Sequence, residues 1–72
     1  MFMGKLVKFQ VPCIAKFCSP EGSSDFIIEH PLTGVVLNDY TDVWGSPLLE
    51  IFAAGEILFD VEHDDVQIIR EG

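Results

Sequence analysis

The densest run of chemistry-bearing side chains in this 72-residue chain lies near its end: Asp60, Glu62, His63, Asp64 and Asp65. Clustered carboxylate oxygens suit a hard cation such as Ca²⁺ or Mg²⁺. The twelve-residue calcium-loop spacing is absent, however. Asp60 and Glu62 are expected to project from one face of a strand, and Asp64 and Asp65 to belong to a turn. The run therefore reads as a solvated acidic edge rather than a metal site. Cys13 and Cys18, taken with His30 and His63, could be drawn as four zinc ligands or as a nucleophile with its base. A single Cys-x4-Cys pair lacks the second pair that zinc sites use. No nucleophile elbow or oxyanion-hole motif accompanies either thiol. Both cysteines read as small buried hydrophobes with free thiols in a reducing context. Glycines stand singly, at positions 4, 22, 34, 45, 55 and 72, so no phosphate-cradling loop is present. The expectation is a non-enzymatic chain without cofactor or metal.

Charge narrows the class of partner. Twelve acids face four bases, for a net charge of -8. Nucleic-acid binding depends on Lys and Arg neutralising phosphates, and this chain offers only Lys5, Lys8, Lys16 and Arg70. An anionic membrane surface is disfavoured on the same ground. Neither a secretory leader nor a run long enough to span a bilayer is legible. The acidity serves solubility, or it gives a face that docks on a basic protein by charge complementarity or by mimicking nucleic acid. Yet the chain is 49% hydrophobic, with six Phe, one Tyr and one Trp. One core of this size cannot absorb them all, and exposed apolar patches usually mark interfaces. Self-association, with a protein partner, is the expectation. A small-molecule ligand could then be held only where two subunits meet.

The elements that must carry these residues are strands. Helical periodicity is missing, and short alternating or β-branched runs are bounded by Gly, Pro, Asn and Asp. Lys5 to Val11 forms the first, limited by Pro12. Cys13 to Phe17 could continue as an edge strand. Ser19 to Ser24 reads as a loop, Asp25 to His30 as a strand broken by Pro31, and Thr33 to Asn38 as another. Asp39 to Pro47 is a polar loop bearing Tyr40, Trp44 and Gly45. Leu48 to Phe52 and Glu56 to Glu62 make a hairpin. If Leu49, Ile51, Ile57, Phe59 and Val61 share the core face, Ile51 pairs with Ile57 and Leu49 with Phe59. Ala53-Ala54-Gly55 is then a three-residue turn ending on a left-handed glycine. The outer face would carry Leu48, Glu50, Phe52, Glu56, Leu58, Asp60 and Glu62. His63-Asp64-Asp65 fits one 3₁₀ turn, and Val66 to Arg70 closes the fold.

Three segments carry a resemblance: Gly-Lys-Leu-Val-Lys-Phe from Gly4, Thr-Gly-Val-Val-Leu-Asn-Asp-Tyr-Thr-Asp-Val-Trp-Gly-Ser-Pro-Leu-Leu-Glu-Ile from Thr33, and Gly-Glu-Ile-Leu-Phe-Asp-Val-Glu-His-Asp-Asp-Val-Gln-Ile-Ile from Gly55. Together they resemble small SH3-like or KOW-like β-barrel proteins of tailed bacteriophages. The likeness spans roughly Gly4 to Val11 and Thr33 to Ile69, and departs at an insert over residues 12–32. It implies an all-β fold: a small five- to six-stranded SH3-like barrel, one domain over residues 1–72, with one 3₁₀ turn before the last strand. It brings no catalytic residues. It implies a phage accessory protein in the host cytoplasm that binds and blocks or sequesters a host component, including a defence factor or its signal molecule. The alternatives are a capsid or tail decoration subunit in the virion, and a small metal-assisted enzyme using His63 or Asp60. In such barrels the loop of Tyr40 and Trp44 flanks a peptide groove, although Trp44 could instead cap an open end of the barrel. The residues expected to meet a partner are Tyr40, Trp44, Phe52, Leu58, Glu50, Asp60 and Glu62.

Overall fold

The structure, a computed structural model, describes residues 3–70. Seven strands run in chain order: β1 Leu6–Phe9, β2 Cys13–Ser19, β3 Gly22–Ile28, β4 Thr33–Thr41, β5 Pro47–Ala53, β6 Glu56–Glu62 and β7 Val66–Arg70. A 3₁₀ turn, His63–Asp65, precedes β7 as its Asp-rich sequence suggests. Every pairing is antiparallel, in the order β3-β2-β6-β5-β4-β1-β7. The all-β expectation is met, but with seven strands rather than five or six. The edge strands β3 and β7 are not paired to each other, so the sheet is not closed by hydrogen bonds.

The additional strands come from the insert. The expected loop Ser19 to Ser24 shrinks to Pro20-Glu21, because Ser19 already pairs with Gly22. The Ser19 hydroxyl donates to the Gly22 carbonyl at 2.8 Å and clamps that turn. Nor is β2 an edge strand: it lies between β3 and β6. Its inward residues Ala15 and Phe17 pack on the core with Phe26 and Ile28 of β3. Phe17 and Phe26 meet edge-to-face with ring centres 5.9 Å apart.

Each strand supplies at least one side chain to a single apolar cluster: Val7 and Phe9, Ala15, Ile28, Val36, Leu49 with Ile51 and Ala53, Leu58 with Val61, and Val66. A flat seven-stranded sheet could not bring its two ends to one cluster, so the sheet curls around its inner face. The bend is built at one level. β5 is regular, with Leu49, Ile51 and Ala53 all inward. Both of its neighbours carry an extra residue opposite Glu50. In β4 the pairing shifts between Val36 and Asn38, leaving Leu37 over. In β6 it shifts between Leu58 and Val61, so that Phe59 and Asp60 oppose Glu50 alone. Bulges increase local twist and bend the strand. Two of them flanking one residue fold the sheet sharply there.

The β6 bulge also corrects the expected hairpin. The turn is Ala54-Gly55, with two residues rather than three. Both have positive φ, +53° and +75°, as a hairpin turn matched to strand twist requires. Ala53 therefore pairs with Glu56, Phe52 with Ile57 and Ile51 with Leu58. Leu58 faces the core and is fully buried, whereas Ile57 is exposed and Phe59 half-buried. The one-residue change in turn length exchanges the faces, and the bulge restores the expected inward position of Val61. Close packing explains Gly34 opposite this hairpin. A Cβ there would lie 2.7 Å from Ile51 Cγ2 and from the Phe52 carbonyl oxygen.

Candidate interaction surface

Trp44 projects from the turn between β4 and β5 and is 87% exposed, with Val43 beside it at 88%. The turn that carries them is well ordered by Asp42. Its carboxylate oxygen Oδ1 accepts hydrogen bonds from the backbone N–H of Trp44 and of Ser46, each at 2.9 Å. The Asp42 N–H donates to the Ser46 carbonyl and the Gly45 N–H to the Asp42 carbonyl, each at 3.0 Å. Gly45, at φ +83°, supplies the left-handed backbone that closes the turn. Asp at the first position of a turn, bonding to the backbone beyond it, is the local chemistry that favours this conformation. Trp44 therefore does not cap an end of the sheet. An anchored backbone holds a large apolar side chain in water.

Beside the turn lies a cleft of about 310 Å³ lined by Asp42, Ser46, Pro47, Leu48, Glu62, His63 and Asp64. Its floor has a specific origin. Leu48 is buried yet stands outside the core cluster. Its cross-strand partners are Tyr40 and Glu62, which must share its face. His63 Nε2 lies 3.3 Å from Asp39 Oδ1 at the end of this region, with both side chains about a quarter exposed. Asp42, Glu62 and Asp64 make the cleft acidic.

Tyr40, Glu50 and Asp60 are brought together across three adjacent strands. The Tyr40 hydroxyl donates to Asp60 Oδ1 and accepts from the Asp60 N–H, both at 2.7 Å. Burial, followed by the hydrogen bond to the Asp60 carboxylate, pushes the Tyr40 pKa up to about 12, and Glu50 adds to the rise. Tyr40 lies in β4 rather than in a loop. It is fixed in place as a structural tie, with Glu50 and Asp60 as its carboxylate neighbours.

Phe52 is exposed, as expected, but its company differs. Leu58 is in the core, so it does not line a contact patch. Instead Phe52 lies between Ile57 and Val35, and Val35 beside Leu6. These four form a row on the outer face across β6, β5, β4 and β1. Ile57, Phe52 and Val35 are 40–49% exposed. Sequence reasoning missed Val43, Val35 and Ile57. The two-residue reading of Ala54-Gly55 would have placed Ile57 in this row.

Among the described residues, no group of three or more His, Cys, Asp and Glu side chains is positioned to share a metal ion. Cys13 and Cys18 are free thiols, but they are not both buried as expected: Cys13 is half-buried and Cys18, on the outward face of β2, is exposed. They lie five residues apart on β2, about 16 Å at strand rise, beyond the reach of a disulfide. Comparison with protein-family models, with curated proteins and with solved structures finds no match to this chain.

Proposed function

We propose that this chain is a non-catalytic binding protein that docks on a basic protein partner through Trp44. The exposure of Trp44 and Val43 on a turn held by four hydrogen bonds carries this reading. A tryptophan carried on a pre-ordered backbone costs less loop ordering on binding, and tryptophans dominate interface energetics. Asp42, Glu62 and Asp64 in the adjoining cleft select for positive charge, and the net charge of -8 steers a basic partner toward it. In fold, we read the curled sheet as an SH3-like barrel elaborated by the β2–β3 hairpin. The two bulges at Glu50 and the 3₁₀ turn before the last strand support that reading.

Together with the resemblance to tailed-phage proteins, this supports reading the chain as an accessory protein that acts in the host cytoplasm by occupying a host component, including a defence factor. The chain holds one tryptophan, so its emission reports the site directly. Titration with the captured host protein should move the emission to shorter wavelength. Trp44→Ala should weaken binding by at least tenfold, the scale of an interface hot spot. An unshifted emission with undiminished affinity of Trp44→Ala would overturn the assignment.

The outer row Ile57, Phe52, Val35 and Leu6 favours a second reading, a virion part that docks on capsid or tail or on copies of itself. Recovery of the chain in stoichiometric amount from purified particles, released by Phe52→Glu but retained by Trp44→Ala, would establish this reading in place of the first.

A further inference from the structure

A second cleft lies on the other side of the 3₁₀ turn, at the base of the β2–β3 hairpin. It measures about 420 Å³ and is lined by Pro12, Cys13, Ile14, Ile27, Glu29 and Asp65. That size is within the range of about 300–1,000 Å³ found for ligand clefts. Its walls are apolar for a structural reason. Ile14 and Ile27 are direct cross-strand partners on the outer face of the hairpin and are 58% and 64% exposed. Its rim is acidic. Neither the Glu29 nor the Asp65 carboxylate has a hydrogen-bond or ion-pair partner among the described residues. Lys16, two residues beyond Ile14 on β2, is engaged with Asp25 at 3.1 Å. Asp65 and Cys13 line the cleft together, and the thiol pKa of Cys13 is raised by burial and then by the Asp65 charge.

We infer that this cleft receives an arginine, flanked by an apolar residue, from an extended segment of a protein partner. The occupant follows from charge complementarity between the two unpaired carboxylates and a cation, combined with apolar walls. An arginine stem can lie along Ile14 and Ile27 while its head remains at the wet rim. A guanidinium offers donors on more than one edge and is weakly hydrated, so it suits an apolar cleft that carries two carboxylates better than an ammonium does. A polyamine fits less well. Its charges are spread along its length, and one would be desolvated against the isoleucines. This cleft is separate from the Trp44 surface, since its lining residues are entirely different.

The probe is the blocked tripeptide acetyl-Leu-Arg-Leu-amide, set against its citrulline counterpart, which keeps the shape and loses the charge. Amide chemical-shift titration of the full chain should show the arginine peptide perturbing residues 13–14, 27–29 and 65. Its affinity should exceed that of the citrulline peptide by about tenfold, the scale of one charge-assisted hydrogen bond, and should fall with added salt. Glu29→Gln with Asp65→Asn should abolish the difference between the peptides. In Cys18→Ser protein, where Cys13 is the remaining thiol, the arginine peptide should slow alkylation of Cys13. Equal binding of both peptides, tighter binding of spermidine, or shifts confined to the Trp44 turn would each overturn the proposal. Trp44 emission should not respond to the arginine peptide, so failure here and failure of the Trp44 reading are told apart. Should the double variant fail to fold, Ile27→Ser provides the second check: it leaves both carboxylates and should still weaken the arginine peptide.

Discussion

Tyr40 on β4 reaches across β5 to bond Asp60 on β6 twice, its hydroxyl donating to the carboxylate and accepting from the backbone N–H, both at 2.7 Å. Asp60 is a bulge residue at φ +57°, a conformation Asp tolerates better than most side chains. The tyrosine thus satisfies the N–H that the bulge takes out of the ladder, and fixes the level at which the sheet bends.

Tyr40→Phe should therefore destabilise the fold by about 0.5–1.5 kcal/mol, the net worth of a hydrogen bond at a partly exposed site. Chemical denaturation at neutral pH measures it. A loss under 0.5 kcal/mol would mean that water replaces the hydroxyl at no cost.

The same contact gives a pH signature. The Tyr40 pKa is raised to about 12 in the folded chain, against 10.0 for the free side chain. The folded state then holds the proton more tightly than the unfolded one. Its contribution to stability is fully present below pH 10 and is lost as pH rises from there through about 12. Tyr40 is the only tyrosine, so absorbance titration of the phenolate reads it alone. Native protein should titrate well above urea-unfolded protein, and coincident curves would remove the contact.

The register can be tested by a pair of substitutions. Leu58→Ala should cost about 2–5 kcal/mol, as for a buried leucine, because Leu58 is fully inaccessible. Phe59→Ala, at a half-buried outward position beside Lys16, should cost less than Leu58→Ala. The reverse order would restore the three-residue turn.

The turn itself offers a gain. Ala54 holds a left-handed conformation that costs an ordinary L-residue about 1–2 kcal/mol. Ala54→Asn should raise the midpoint of thermal unfolding, since Asn-Gly suits this two-residue turn. Gly55→Val should lower it, because a β-branched residue at positive φ is strained.

Gly34→Ala should destabilise by about 1–3 kcal/mol through overpacking. The new methyl would meet the Phe52 carbonyl oxygen at 2.7 Å and Ala53 Cβ at 2.8 Å, and neither can swing away. By contrast Phe52→Glu, in the exposed outer row, should cost less than about 1 kcal/mol, the scale of a cross-strand pair. It should disperse any oligomer seen by sedimentation. An unchanged oligomer would exclude the row from self-association.

Much of the strand order is legible in the sequence because it is local. Alternating apolar runs, Pro12, Pro31 and the His63-Asp64-Asp65 turn set where strands begin and end, and the outward Phe52 follows from alternation along its strand, whereas Trp44 reads equally as a groove residue or a cap until the Asp42-bonded turn places it in water. The bulges are not local. Whether Leu58 or Phe59 faces inward depends on one residue at Ala53-Ala54-Gly55, and alternation alone permits either, since both choices bury an apolar side chain. Only the tertiary structure decides it. Leu58 must join Val7, Val36 and Ile51 in one buried cluster, Val61 must join it three residues later, and Tyr40 arrives from β4 to hold the extra residue between them. The second cleft is of the same kind. Ile14 and Ile27 are thirteen residues apart in the chain, and they become neighbours only when β2 and β3 pair, with the 3₁₀ turn bringing Asp65 beside Cys13. Composition determined that this chain would be acidic and apolar on its surface, and local alternation that it would be β-rich; the long-range pairing, which no short window of sequence encodes, decided which apolar residues meet water.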